Sequence, residues 1–235
     1  MNFARAQKSY NQNAIVQKEM AKKIFRVIGN FSQSPSRLLE IGSGTGFLTE
    51  HLMTFGAREI FLNDLNPNQT EFSDVTFLEG DICEIEIPCG LDLIASNAVF
   101  QWIDDLGALF SKLHSSLLAG GMLAFAAFGP QNYKQFKTQG MLNYPSLGEL
   151  ERLLVQNSFE ILHLEEELKT LYFPCAREVL EHIRATGVTT FSTTGRGMWT
   201  KETLKTFEEA YLARNSDING VELTYHPVYC CARRI

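Results

Sequence analysis

The stretch Arg37-Leu38-Leu39-Glu40-Ile41-Gly42-Ser43-Gly44-Thr45-Gly46 joins a short apolar run to glycines at alternate positions. The run follows the breaker group Ser34-Pro35-Ser36, and residues 47–55 beyond it have helical character. That order is strand, tight turn, helix. A turn of this kind needs glycines for two reasons: backbone angles that only glycine adopts cheaply, and close approach of the main chain to a ligand.

Downstream the pattern repeats. Residues 59–62, 75–78 and 91–96 read as strands, 106–118 as a helix stopped by Gly120-Gly121, and 122–128 as a small-residue and aromatic strand suited to a sheet centre. Upstream, residues 13–31 place Ile15, Val16, Met20, Ile24, Val27 and Ile28 near helical spacing, with Gln17, Lys18, Lys22 and Lys23 between them. This predicts an amphipathic helix within an N-terminal arm, 1–31, packing one stripe on the main domain. Alternating strands and helices imply a doubly wound α/β domain with a mostly parallel, Rossmann-like sheet.

Further on, residues 146–156 predict a helix with Ser146 as N-cap and Glu149 completing a capping box. Residues 159–172 read as one long strand, 176–186 and 200–213 as helices, 187–197 as a loop and 221–231 as a final strand. The region 174–212 is therefore read as a helical lid inserted before the last strand of a single domain covering 1–235.

Composition narrows the function classes. At 235 residues, 45% hydrophobic and 20% charged, the chain can bury a real core. A net charge of -6 argues against broad attraction to nucleic acid, which favours a basic face. Cys83, Cys89, Cys175, Cys230 and Cys231 are odd in number and lack paired C-x2-C spacing, so neither a disulfide framework nor a metal site is expected. No apolar run approaches the roughly 18 residues of a membrane span, and the N-terminus has no signal core. The expectation is a cytoplasmic protein acting as a monomer, away from membranes.

Alone, the glycine turn leaves three readings open: no ligand, a dinucleotide held by its pyrophosphate, or S-adenosylmethionine. The spacing Gly42-x-Gly44-x-Gly46 follows the acidic Glu40. S-adenosylmethionine has no phosphate and carries an ammonium group, which suits an acidic turn. Asp64 comes about twenty residues on, where a carboxylate accepts ribose hydroxyls in either ligand. Glu79-Gly80-Asp81-Ile82 adds a second carboxylate that can accept from an adenine amino group, and Ser96-Asn97-Ala98 ends a fourth strand.

This series resembles the class I S-adenosylmethionine methyltransferases. The resemblance implies a cofactor site of Glu40, Gly42 and Gly44 at the turn, Asp64 on ribose, Leu65 against adenine, Asp81 and Ile82 at the adenine edge, and Asn97 near the methionine end. The flanks are similar to one branch, the malonyl-acyl-carrier-protein O-methyltransferases of biotin synthesis. The similarity lies in Phe3-x-Arg5-Ala6-x-x-x-Tyr10, in Asn97-Ala98-Val99-Phe100-Gln101-Trp102-Ile103-Asp104, in Phe128-Gly129-Pro130, in Ile183-Arg184-Ala185-Thr186-Gly187, and in Leu223-Thr224-Tyr225-His226-Pro227.

The resemblance implies methylation of the free carboxylate of malonyl-carrier protein, with malonyl-coenzyme A as the other acyl carrier to weigh. A carboxylate is ionised near neutrality and needs no protein base, so positioning would do most of the work. Arg184 is the candidate to orient it, since a guanidinium matches a carboxylate with two parallel hydrogen bonds; a solvated helix arginine is the plainer reading. Tyr10 is expected to close over the cofactor or acceptor, and Gln101 and Trp102 to line the acceptor channel; packing roles are their plainer readings. Arg177, Arg184, Arg196, Lys201 and Lys205 would form a local basic patch for an acidic carrier. The competing functions are a methyltransferase for another small carboxylate or a quinone-type acceptor, and a non-catalytic S-adenosylmethionine-binding module.

Overall fold

The apolar run Leu38-Leu39 with Ile41 is buried on both faces, which places its strand at the middle of a sheet. In the computed structural model, which describes residues 10–32, 34–65, 72–139, 144–186 and 201–235 (backbone alone at 137–139, 201, 203 and 204), that strand is β1 (Arg37–Ile41). The chain divides into two compact units. One comprises residues 16–129, 144–166 and 227–235; the other comprises 1–15, 130–143 and 167–226.

The first unit is built on a sheet of β1, β2 (Glu59–Asp64), β3 (Thr76–Glu79), β4 (Leu91–Asn97), β5 (Leu117–Phe128), β6 (Phe159–Glu166) and β10 (Pro227–Arg234). Its order is β3-β2-β1-β4-β5-β10-β6, parallel from β3 to β5, with β10 antiparallel to both neighbours. The order reverses at β1, so the crevice at the carboxyl ends of β1 and β4 is the switch point where such sheets take ligands.

Helix α1 (Ile15–Phe31) buries the stripe Val16, Met20, Ala21, Ile24, Val27 and Ile28, as its apolar spacing predicts. The core gathers Phe100, Phe110 and Phe125, with the Phe100 and Phe125 ring centroids 4.7 Å apart. Helix α4 (Leu147–Gln156) begins with the expected capping box: Ser146 Oγ accepts from Glu149 N, and the Glu149 carboxylate accepts from Ser146 N. Between them, α2 (Thr49–Leu52) is a single turn continued as a 3-10 turn over Met53–Phe55, shorter than the helix expected over 47–55. Helix α3 (Leu106–Ser116) ends before the glycines expected to stop it. Leu117 is already extended and pairs with Leu91, so β5 starts five residues earlier than the expected 122–128.

The second unit holds an antiparallel sheet of order β7-β9-β8, with β7 (Lys169–Phe173), β8 (Ser216–Asp217) and β9 (Gly220–Tyr225), and helices α5 (Ala176–Ala185) and α6 (Lys201–Asn215). Phe136 packs on Phe207 and Tyr211, and the Tyr211 hydroxyl donates to the Glu222 carbonyl at 2.9 Å. The helices expected over 176–186 and 200–213 are present as α5 and α6, and the three strands of this sheet lie outside the 174–212 expected for a lid.

Two expectations are corrected here. Residues 159–172 form two strands, β6 and β7, in different sheets, and residues 221–231 fall into β9 and β10, also in different sheets. Alternation marks a strand without saying which sheet receives it. At the second break Pro227 has no N–H to offer a ladder, and His226 N donates instead to Asn132 Oδ1 at 3.2 Å. The loop expected over 187–197 and the Thr200 cap lie outside the described residues. Among the described residues no helix is long and apolar enough to cross a membrane, and no group of three or more His, Cys, Asp or Glu could hold a metal.

Replacing the cap by Ser146→Ala is expected to lower unfolding stability by about 1 kcal/mol. Urea denaturation checks this; a midpoint equal to the parent's would show that the capping box adds nothing.

Candidate active site

Every glycine of the turn after β1 has a left-handed backbone: φ is 68° at Gly42, 51° at Gly44 and 90° at Gly46. A side chain at Gly42 would overlap Val99, and a Cβ at Gly46 would lie 2.7 Å from the Phe72 ring. Glycine is therefore required at both by conformation and by space. The turn is tied to the next strand by Ser43 N donating to the Asn63 carbonyl and Gly44 N donating to Asp64 Oδ2, each at 2.9 Å. Asp64 is thereby fixed at the mouth of the turn.

The end of β2 is held in its turn by β3. Asn63 Nδ2 donates to the carbonyls of Leu78 and Gly80 at 2.8 and 2.9 Å, and Gly80 N donates to the Asp64 carbonyl at 3.0 Å. Leu65 is 62% exposed beside Asp64, an apolar surface left in solvent at the crevice. Asp81 caps its own turn, accepting from Cys83 N at 2.8 Å. The Ile82 side chain lies in the hydrophobic core, so only its backbone can meet a ligand there.

Glu40 is 1% exposed, and its Oε2 accepts from Thr49 Oγ1 at 2.6 Å. Burial pushes its carboxyl up to about 8, against the lowering effect of the Thr49 bond and with added repulsion from Asp64. The ligand-free turn is therefore backed by a largely protonated acid near neutrality, one that a nearby cation would help to ionise.

At the end of β4, Asn97 Nδ2 donates to the Gln17 carbonyl of α1 at 3.0 Å. Ala98 follows with φ 57°, a strained value for a residue with a side chain. Gln101 Nε2 donates to the Ala98 carbonyl at 2.6 Å. Because a carbonyl can only accept, these bonds fix both amides with their oxygens turned the other way. Asn97 Oδ1 and Gln101 Oε1 are buried without a hydrogen-bond partner. Gln101 is buried and Trp102 half-buried, on a 3-10 turn over Phe100–Trp102.

The structure thus brings Glu40, Gly42, Gly44, Asp64 and Asn97 to adjoining strand ends in the first unit, with Leu65 and Asp81 on the neighbouring ones. Tyr10, half-buried, and Arg184, exposed on α5, belong to the second unit. The expected basic patch is partly neutralised within that unit: Arg177 pairs with Glu208 at 3.4 Å and Lys205 with Glu209 at 3.8 Å. Arg196 and the Lys201 side chain lie outside the described residues. Three residues of the site escaped sequence reasoning. Val99 and Thr49 carried no signal, but Gln17 did: it stands three, four and seven residues before Met20, Ala21 and Ile24, on the buried stripe.

Glu40 makes stability depend on pH. Its folded value of about 8 lies above the ordinary 4.5, so the folded chain keeps a proton that the unfolded chain releases. Its contribution is fully present below about 4.5 and is lost as pH rises through about 8. The slope approaches about 1.4 kcal/mol per pH unit inside that window. Glu40→Gln is expected to remove this part of the slope, read from urea unfolding of the ligand-free protein between about pH 5 and 8; a slope as steep as the parent's would contradict it.

Comparison with known proteins agrees with this geometry. Residues 39–125 match a family described as a methyltransferase domain, a span that opens inside β1 and closes inside β5. In overall fold the chain is similar to the N-methyltransferase NodS of Bradyrhizobium japonicum in complex with S-adenosyl-L-homocysteine, with a TM-score of 0.57, 13% identity and coverage of 97% of this chain and 98% of that one. It is likewise similar to a 1,6-didemethyltoxoflavin N1-methyltransferase of Burkholderia thailandensis, with a TM-score of 0.59, 13% identity and coverage of 99% and 86%. Sequence reaches further than fold. The malonyl-[acyl-carrier protein] O-methyltransferase of Acinetobacter baylyi is 34% identical across 99% of this chain and 94% of its own length. That of Chlorobium phaeovibrioides is 36% identical over the same shares. Since that identity runs through both units and not the cofactor crevice alone, the chain belongs to the malonyl-[acyl-carrier protein] O-methyltransferase family.

Proposed function

We propose that the chain transfers a methyl group from S-adenosylmethionine to the free carboxylate of malonyl-[acyl-carrier protein], giving the methyl ester that enters biotin synthesis in the cytoplasm. The observation that carries this reading is full-length identity of 34–36% to relatives of that name. The crevice suits the cofactor: buried acceptor oxygens at Asn97 and Gln17, with the raised acid Glu40 behind the turn, call for a cationic donor such as the ammonium of an amino acid.

Bound S-adenosylmethionine supplies an electrophilic methyl carbon on a sulfonium. The chain's own residues then have four tasks. Gly42 and Gly44 let the backbone approach the methionine part, while Asp64 accepts from ribose hydroxyls. Leu65 covers adenine, and Asp81 with the Ile82 backbone meets its edge. Arg184 grips the malonyl carboxylate through two parallel hydrogen bonds, which orients it while its charge is retained. Tyr10 and Trp102 help to exclude water, so the carboxylate oxygen is held in line with the methyl carbon and sulfur. No general base enters, because the attacking group is already ionised at neutral pH. Gln101 has its nitrogen committed to Ala98, and its buried oxygen would repel a carboxylate; it suits an amide N–H of the carrier's thioester arm.

Incubating the protein with S-adenosylmethionine and malonyl-carrier protein should raise the carrier's mass by one methyl group. Malonyl-coenzyme A and free malonate serve as parallel acceptors, and equal methylation of free malonate would displace the carrier reading. Arg184→Ala should raise the KM for malonyl-carrier protein about tenfold and leave cofactor affinity unchanged, with partial recovery in Arg184→Lys. Parent-like kinetics in Arg184→Ala would remove Arg184 from the acceptor site.

A further inference from the structure

Among the described residues, the buried side-chain oxygens without a hydrogen-bond partner are Gln17 Oε1, Thr45 Oγ1, Asn97 Oδ1 and Gln101 Oε1. All belong to the first unit. Thr45 lies on the turn after β1, Asn97 ends β4 and Gln101 follows it, while Gln17 comes from α1. Two contacts bring that part of α1 to the strand ends. Asn97 Nδ2 donates to the Gln17 carbonyl at 3.0 Å, and Lys18 Nζ stands 5.0 Å from the centre of the Phe47 ring, next to Gly46.

Gln17 is anomalous as a core residue. It is 4% exposed in a stripe otherwise made of Val16, Met20, Ala21, Ile24, Val27 and Ile28, where a leucine or methionine would pack without a polar atom to satisfy. A buried acceptor with no donor is costly, and native structures tolerate few of them outside functional sites. The neighbouring Asn97 oxygen is in the same condition, and the bond to Gln17 holds it there. The Asn97 amide, its nitrogen committed to the Gln17 carbonyl, offers an acceptor alone, and the buried Gln17 oxygen is a second acceptor without a donor; both suit a group with several N–H donors and positive charge.

We propose that Gln17 is a cofactor-binding residue, whose side-chain oxygen accepts, beside that of Asn97, from the ammonium group of bound S-adenosylmethionine. The proposal rests on the cofactor reading above and adds the first turn of α1 to the site. In this arrangement α1 does more than cover the sheet. It selects ligands that bear the amino group. The buried Glu40 carboxyl works in the same direction, since an ammonium arriving at the turn favours its ionised form.

The test is calorimetric titration of the full chain with S-adenosylhomocysteine and with its desamino analogue, which keeps the carboxylate and lacks the ammonium. The parent should favour the amino-bearing ligand. Gln17→Met, similar in shape and without the oxygen, should lose about tenfold of that preference while binding the desamino analogue within about twofold of the parent. Gln17→Glu should keep or enlarge the preference. A Gln17→Met protein that weakens both ligands equally, or neither, overturns the proposal, as does a Gln17→Glu protein with a reduced preference. A parent that binds neither ligand overturns the cofactor reading and this proposal with it, whereas failure of carrier methylation with the preference intact leaves the proposal standing and removes only the acceptor.

Discussion

The pair of hydrogen bonds from Ser43 and Gly44 to the end of β2 is the constraint on which the rest depends. They hold a run of left-handed glycines against a neighbouring strand, and the run in turn leaves room for Val99 above Gly42 and Phe72 above Gly46. A carboxylate that would otherwise seek solvent is thereby aimed into the crevice as Asp64. Since β1 is the strand at which the sheet order reverses, the turn sits where β2 and β4 diverge, and side chains from both can face one ligand.

Electrostatics at that crevice is unusual because so much of it is buried. Glu40 is withdrawn from water behind the turn and shares a short bond with Thr49, while amide oxygens at Gln17, Asn97 and Gln101 are buried without donors. Buried oxygens without donors are costly, and a ligand bearing N–H groups would relieve that cost. The strain at Ala98 belongs to the same economy of form: a left-handed residue after β4 turns the chain so that Asn97 and Gln101 both bond to backbone carbonyls.

The residues expected to meet the methyl donor, from Glu40 to Asn97, come from the parallel sheet, whose architecture many unrelated acceptors share. The residues expected to meet the acceptor, Tyr10 and Arg184, come from the unit built on β7, β8 and β9. The malonyl family is recognised because similarity continues through this second unit, where a shared fold alone imposes no likeness.

Local rules were sufficient for much of this. The β1 turn, the acidic ends of β2 and β3, the apolar run of β4 and the Ser146 capping box could be read directly, because glycine geometry, strand burial and helix capping act over a few neighbouring residues. The placement of the candidate donor-site residues was legible for the same reason: Gly42, Gly44, Asp64 and Asn97 each end or follow a strand. Tertiary structure decided what depends on distant partners. It split 159–172 and 221–231 between two sheets, since alternation is identical whichever sheet receives a strand. It began β5 at Leu117 because Leu91 was there to pair with it. It also brought Gln17, buried on the apolar stripe of α1, to the end of β4, where Asn97 bonds to its backbone carbonyl.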